Sequence, residues 1–200
     1  METTTTEKFL TVYAEGTPNP DSIKFVLNKE LLPPGYSFDF PDQQSAQESP
    51  LAAMLFKFSF VKGVYISQNF VTVSKLSDSM WAELIPIIRT FLKEYIQAGD
   101  PIISLQMQET LAPKENEEVE ADENEVIAKI KEILTSSIKP VVEMDGGNIE
   151  FKSFEDGVVT VALKGSCSGC PSSTITLKAG IENLLKRLVP DVKEVVAESL

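Results

Sequence analysis

The pattern of apolar and polar residues divides the chain into two patterned stretches with a polar stretch between them. In the first, β-branched and aromatic residues predict strands at 8–14 and 23–27 and a hairpin built from 64–66 and 70–73. Between the first two strands lies Glu15-Gly-Thr-Pro-Asn-Pro-Asp-Ser22, whose composition is typical of a loop.

Helical spacing also occurs in the first stretch. Ser49-Pro50 predicts the start of a short apolar helix, because serine caps helices and proline is tolerated in a first turn. Apolar residues recur at helical spacing from Trp81 to Ile96, and Gly99 predicts the end of this helix. Pro86 lies inside the pattern and predicts a kink or a later helix start.

The second patterned stretch predicts an alternation of helices and strands. In order, we expect a helix over 126–138 ended by Pro140, a turn at Asp145-Gly146-Gly147, a strand over 148–151, a tight turn at Asp156-Gly157, a half-buried strand over 159–163, a helix over 177–188 ended by Pro190, and a strand over 192–197. Runs of strands and helices of this length predict a small α+β layer.

The intervening polar stretch carries most of the charge. Residues 109–125 hold eight acidic side chains and one basic side chain, which is −7 of the total formal charge of −12. Such a segment repels itself and has little to bury, so it predicts an extended linker. The sequence therefore predicts two small α+β domains joined by an acidic flexible linker, with the first domain at 1–106, the linker at 107–124 and the second domain at 125–200.

Composition excludes several kinds of chemistry. The 200 residues include no histidine, which removes Ser-His and Cys-His nucleophile pairs and histidine-containing metal sites. The acidic balance disfavours binding to nucleic acid or to anionic lipid, and no apolar run approaches a membrane span. The first residues have neither a signal-peptide pattern nor a transit-peptide pattern, so we expect a cytoplasmic protein.

The chain has two cysteines, which lie in one short motif. Gly165-Ser-Cys-Ser-Gly-Cys-Pro-Ser-Ser173 joins a predicted strand to a predicted helix, so Cys167 and Cys170 lie at or just before a helix start, which favours thiolate. The small residues would let another surface approach closely. We expect both cysteines to contribute little to a hydrophobic core.

Three uses of this motif remain open from the residues alone. A thioredoxin-like dithiol oxidoreductase fits poorly, because only 30 residues follow Cys170. Zinc and iron–sulfur sites without histidine usually need four thiolates, so a second copy of the chain must supply two. A two-fold homodimer would bring two CxxC motifs together around either a [4Fe–4S] cluster or a zinc ion.

The motifs together resemble the Nfu iron–sulfur carriers. Asp145-Gly-Gly-Asn-Ile-Glu150 and the extended cysteine motif are similar to the NifU-type C-terminal domain, and Thr17-Pro-Asn-Pro-Asp21 and Phe70-Val-Thr-Val73 are similar to the Nfu N-terminal domain. Asn148 stands where the family commonly has aspartate.

This resemblance implies a carrier and not an enzyme. It implies that Cys167 and Cys170 are cluster ligands, that a labile [4Fe–4S] cluster is shared between two subunits, and that the chain receives the cluster from an upstream scaffold or carrier and passes it to apo iron–sulfur enzymes. It also implies that the N-terminal domain recognises partners.

Overall fold

The computed structural model describes residues 9–76, 78–109, 125–167 and 171–199, with the side chains of 171–174 and 199 left aside. Within them the chain forms two α+β domains, each with its own sheet and its own hydrophobic core. The predicted fold class is confirmed.

The N-terminal domain is a five-stranded antiparallel sheet covered on one face by helices. Its strand order is β1-β2-β5-β4-β3. The elements are β1 (Val12–Gly16), β2 (Ser22–Leu27), β3 (Phe38–Phe40), α1 (Pro50–Leu55), β4 (Val61–Ile66), β5 (Phe70–Lys75), α2 (Trp81–Ala98) and α3 (Leu105–Glu109), with a 3-10 turn at Ser45–Glu48.

The core of this domain lies between the sheet and helices α1 and α2. Alternate strand residues such as Phe25, Val71 and Val73 point to the helices and are fully buried, as are Leu51 and Ile88 on the helices. This alternation leaves the residues between them on the opposite face of the sheet, called here the outer face.

Local sequence features fix the ends of these helices. The Ser49 side chain accepts a hydrogen bond from the amide of Ala52 (3.1 Å), and Gly99 ends α2 in the left-handed region at φ 78°. Helix α2 begins at Trp81 and includes Pro86, so the later start that we considered for this helix does not occur.

The C-terminal domain is a three-stranded sheet covered by helices. Strand β6 is antiparallel to β7, and β7 is parallel to β8. The elements are α4 (Glu125–Ile133), a π-helical turn (Leu134–Ile138), α5 (Lys139–Met144), β6 (Gly147–Glu155), β7 (Val158–Gly165), α6 (Pro171–Leu188) and β8 (Glu194–Ser199). Parallel pairing requires a crossover between β7 and β8, and α6 provides it.

The expectation that Pro140 ends a helix is wrong. The chain passes from α4 through the π-helical turn directly into α5, where Pro140 lies in the first turn. Proline has no amide hydrogen to donate, and a first helical turn does not need that donor. Pro140 is therefore tolerated at the start of α5, and the helical course continues to Met144.

The predicted tight turn at Asp156-Gly157 is confirmed. Asp156 and Gly157 both have positive φ (51° and 88°), as a two-residue hairpin turn requires.

The predicted linker lies largely outside the described residues. Residues 107–109 end α3, whereas residues 110–124 are not described, so the linker and the domain boundaries stay predictions. Among the described residues, no helix is long and apolar enough to cross a membrane.

Candidate cysteine site

The cysteine motif lies between the end of β7 and the start of α6. Strand β7 ends at Gly165 and α6 begins at Pro171, as the sequence predicted for a strand-to-helix connection. The structure describes Cys167, whereas Cys170 lies outside the described residues. The site is therefore built from Cys167 and the residues around it.

Cys167 is more buried than the sequence indicated. It is 6% exposed and belongs to the hydrophobic core cluster of the C-terminal domain, so the expectation that it contributes little to a core is wrong. Burial raises the pKa of the Cys167 thiol, the nearby Asp145 carboxylate raises it further, and the Ser166 hydroxyl lowers it. The expected preference for thiolate is thus reversed at Cys167, because desolvation outweighs the other effects.

The turn at Asp145-Gly146-Gly147 before β6 is called here the glycine turn, and residues 165–167 are called the cysteine segment. The backbone of the glycine turn supports the cysteine segment. The amide of Ser166 donates to the carbonyl of Gly146 (3.2 Å), and the Ser166 hydroxyl donates to the carbonyl of Asp145. Gly146 has a φ of +82°, which side-chain-bearing residues rarely adopt. The Asp145-Gly146-Gly147 motif therefore combines an unusual turn with direct contact to the cysteine segment.

Glycine is required at position 147 because neighbouring atoms lie very close to it, and not because of its backbone angles. A Cβ atom at this position would lie 2.5 Å from the carbonyl oxygen of Lys164 and 3.0 Å from the Cys167 sulfur. Neither distance is compatible with ordinary packing. The absence of a side chain at Gly147 thus lets Cys167 pack directly against the start of β6.

The N-terminal domain also reaches this site. Asn19, in the loop between β1 and β2, is 7% exposed, and its Nδ2 donates to the carbonyl of Ser166 (3.0 Å). Its Oδ1 accepts from the amide of Asp21 (3.0 Å), which fixes the side chain. The sequence marked this segment as a loop but did not place it beside Cys167.

Asn148 forms a second polar contact between the domains. It is 4% exposed, its Nδ2 lies 3.1 Å from the Ser37 hydroxyl, and its Oδ1 accepts from the amide of Ile149 (2.8 Å). An aspartate at this position could only accept from the Ser37 hydroxyl. The asparagine thus changes the direction of this hydrogen bond and adds no charge to the buried contact.

An open groove of about 630 Å³ runs past Cys167 between the two domains. Pro18 and Asn19 line one part of it, and Val141 and Leu177 line another. Val141 is 52% exposed, and Ile175, in the first turns of α6, is 69% exposed. An apolar surface thus adjoins the cysteine segment.

The described residues do not form a complete metal site. They contain no group of three or more cysteine, aspartate, glutamate or histidine side chains that could hold a metal ion. Cys167 contributes one sulfur, and its thiol is the soft donor that iron–sulfur clusters and zinc prefer. The donor type fits either metal, and further thiolates are needed to complete a site.

A buried carboxyl group lies where the sheet of the N-terminal domain meets β7. Burial raises the pKa of Asp39 from its ordinary 3.8 to about 6, the Gly165 amide and Lys164 lower it, and Glu150 raises it. Asp39 Oδ2 is buried and has no hydrogen-bond partner among the described residues. Lys164 is instead paired with Glu150 at 2.6 Å.

Comparisons with known proteins define the class of this chain. Residues 12–99 match the family described as "Scaffold protein Nfu/NifU N terminal", and residues 130–196 match the "NifU-like domain". It is thus a two-domain protein with an Nfu N-terminal domain followed by a NifU-like domain. The chain belongs to the Nfu family, as the resemblance in its motifs indicated.

Two relatives from Drosophila species agree with this assignment. Over 184 residues and 92% of its length, the chain is 38% identical to proteins named "NFU1 iron-sulfur cluster scaffold homolog, mitochondrial" from Drosophila erecta and Drosophila yakuba. It spans 63% of the length of each. A solution NMR structure of a NifU-like protein from Saccharomyces cerevisiae aligns with a TM-score of 0.45 at 22% identity, over 52% of this chain and 93% of that one.

We predict that Gly147→Ala destabilises the C-terminal domain because the new Cβ would collide with a backbone carbonyl. The free energy of unfolding, measured by chemical denaturation, is expected to fall by at least about 2 kcal/mol. Gly180→Ala is the matched control, since a Cβ there meets nothing within 4 Å and a helix favours alanine. Equal stability of the two variants would contradict the close approach at Gly147.

We also predict that Cys167→Ser is less stable than the wild-type chain. A hydroxyl in this core is expected to lower the free energy of unfolding by about 1–3 kcal/mol. Cys167→Ala adds no polar group and is expected to lose less. Denaturation of both variants by urea tests this, and a fully stable serine variant would show that Cys167 is not part of the core.

Asp39→Asn is expected to stabilise the chain at neutral pH. The raised pKa means that Asp39 stabilises the fold when protonated, fully below pH 3.8, and that this contribution is lost as the pH rises through about 6. The variant removes the buried charge and should gain about 1–3 kcal/mol at pH 7.5.

Urea denaturation at pH 7.5 and pH 4.5 measures this effect. The advantage of Asp39→Asn should be smaller at the lower pH, whereas exposed Asp191→Asn should change little at either. A gain that does not depend on pH would show that the charge of Asp39 is not its cause.

Proposed function

We propose that this protein is an iron–sulfur cluster carrier that binds a [4Fe–4S] cluster through Cys167 and Cys170 and transfers it to apo-proteins. The observation that carries the proposal is a NifU-like domain, over 130–196, whose cysteine motif joins β7 to α6. The relatives named above are iron–sulfur cluster scaffold homologs by their printed names. In this role the protein acts by binding and release and not as an enzyme.

Ligand number supports a shared cluster. Each chain has two cysteines and no histidine, whereas a [4Fe–4S] cluster is held by four thiolates. A two-fold homodimer supplies them symmetrically. The exposed apolar side chains Val141, Met144 and Ile175 lie in segments that adjoin the cysteine motif, and such surfaces favour a partner.

The surroundings of Cys167 suit a cluster that is released as well as held. Its thiol has a raised pKa, so without iron it is mostly protonated and packs as an apolar group. Coordination to iron replaces the thiol proton, and loss of iron allows the side chain to return to the core. The free energy of this packing opposes cluster retention and thereby assists transfer to acceptor thiolates.

A dithiol oxidoreductase is less well supported than a carrier. The matched family and the printed names of the relatives point to cluster scaffolds. Burial also raises the pKa of Cys167, so Cys167 is not the exposed, low-pKa attacking thiol that such an enzyme needs. A zinc-bridged structural dimer needs the same four thiolates as a cluster. Zinc is therefore the second candidate, and metal analysis distinguishes it.

The carrier proposal implies two kinds of partner. A carrier needs an upstream scaffold or carrier as donor and apo iron–sulfur enzymes as acceptors, and we propose that the N-terminal domain takes part in recognising them. The relatives are named mitochondrial, so a cytoplasmic location stays a prediction from the sequence.

Anaerobic reconstitution with iron and sulfide tests the proposed function. We expect a dimer with about two iron atoms per chain and the absorption and Mössbauer spectra of a [4Fe–4S] cluster. Cys167→Ala and Cys170→Ser should each lose the cluster, while Ser136→Ala, an exposed residue of the π-helical turn, should retain it. Circular dichroism of each variant separates cluster loss from unfolding.

Zinc at about half an atom per chain, or a monomer without metal, would contradict the carrier. A stoichiometric cluster in either cysteine variant would contradict the assigned ligands. Transfer to an apo-enzyme is then followed as recovery of that enzyme's activity under anaerobic conditions.

A further inference from the structure

One row of residues crosses the outer face of the N-terminal sheet. Lys24 on β2 pairs with Thr72 on β5, Thr72 pairs with Tyr65 on β4, and Tyr65 pairs with Asp39 on β3. Directly paired residues point to the same face of a sheet. This set of four, called here the outer row, lies opposite the core of the N-terminal domain.

Part of the outer face is buried although it is not part of a hydrophobic core. Tyr65 is 1% exposed and Phe70 is 5% exposed, yet neither belongs to the core cluster of either domain. A Cβ atom at Gly165 would lie 2.9 Å from the Tyr65 ring. The end of β7, two residues before Cys167, therefore lies directly against the outer row.

Hydrogen bonds from the outer row reach backbone carbonyls of the C-terminal domain. Thr72 Oγ1 donates to the carbonyl of Gly146 at 2.7 Å. Lys24 Nζ donates to the carbonyls of Glu143 (3.1 Å) and Met144 (3.3 Å) at the end of α5. A cation at a helix C-terminus is favourable because the last carbonyls of the helix have no partner within it.

The sequence motifs of the two domains meet at this surface. Asn19 of the Thr17–Asp21 segment binds the carbonyl of Ser166, and Asn148 beside the glycine turn binds Ser37. A Cβ atom at Gly146 would lie 2.9 Å from Thr72 Oγ1 and 3.4 Å from Thr17 Cγ2. Gly146 thus also permits the two domains to approach each other.

The contact is suited to reversible docking. Its hydrogen bonds lie outside the two separate hydrophobic cores, and the buried Asp39 Oδ2 atom at this surface has no hydrogen-bond partner among the described residues. Interfaces of this kind between domains commonly allow relative motion. Separation would expose Tyr65 and Phe70 and would leave both hydrophobic cores intact.

We propose that the outer row is a docking surface for the cysteine segment of the same chain, and that this docked form must open before two chains can share a cluster. The second part rests on the proposed function. Gly146, Gly165 and Ser166, which flank Cys167, are all in contact with the N-terminal domain, and Pro18 and Asn19 form part of the groove beside it. A second copy that approached Cys167 along this groove would meet these residues of the N-terminal domain.

Two pairs of variants test docking in iron-free full-length protein. Thr72→Glu places a carboxylate against the Gly146 carbonyl, and exposed Thr90→Glu on α2 is its matched control. Lys24→Glu places a carboxylate at the end of α5, and exposed Lys62→Glu is its control. Each pair makes the same change of charge within the same domain.

Amide NMR spectra and small-angle X-ray scattering are the measurements. We expect Thr72→Glu and Lys24→Glu to shift the amide signals of Gly146 and Ser166 in the other domain and to increase the maximum dimension of the particle. The two controls should match the wild-type chain. If neither outer-row variant changes the signals of Gly146 and Ser166 while its own domain remains folded, the docking proposal is wrong.

A second measurement addresses the competition with cluster sharing. After loading with iron and sulfide, the Tyr65 and Asp39 amides of the wild-type chain, which are farther from Lys24 in the sheet, should move toward their positions in Lys24→Glu and remain sharp. Paramagnetic broadening of these signals would place the N-terminal domain over the cluster and overturn the competition. A protein that takes up no cluster would refute the proposed function and the competition with it, whereas the iron-free spectra decide docking independently.

Discussion

The contact between the glycine turn and the end of β7 is the constraint on which the rest of the site depends. Two hydrogen bonds from Ser166 hold the carbonyls of Asp145 and Gly146, and Gly147 leaves no room for a side chain beside Cys167. Cys167 follows Ser166 directly in the chain, so this contact fixes the position of the Cys167 thiol. Burial of that thiol follows from the same geometry.

The same turn also connects the two domains. The Gly146 carbonyl accepts from Ser166 within its own domain and from Thr72 in the other. The site is therefore supported from both sides by polar contacts, while each hydrophobic core remains within its own domain. An arrangement of this kind stabilises the cysteine segment without making the domains inseparable.

The burial of Cys167 changes how its chemistry is understood. A helix start alone would favour thiolate, but desolvation is the larger effect and raises the pKa. A thiol of this kind is a poor nucleophile and becomes a good ligand only when a metal displaces its proton. Burial therefore makes Cys167 unsuited to be the attacking thiol of a dithiol pair.

Periodicity and turn residues determined most of the secondary structure. The helix from Trp81, the turn at Asp156-Gly157 and the strand-to-helix position of the cysteine motif follow from local steric and hydrogen-bonding preferences. Pro140 was misjudged because its effect depends on whether it falls in the interior or in the first turn of a helix. The contacts of Asn19 and Thr72 were decided only by the tertiary structure, since they join residues more than 70 positions apart and no local pattern specifies which surfaces meet. The burial of Cys167 was also decided there, because it depends on how the start of β6 packs against the end of β7.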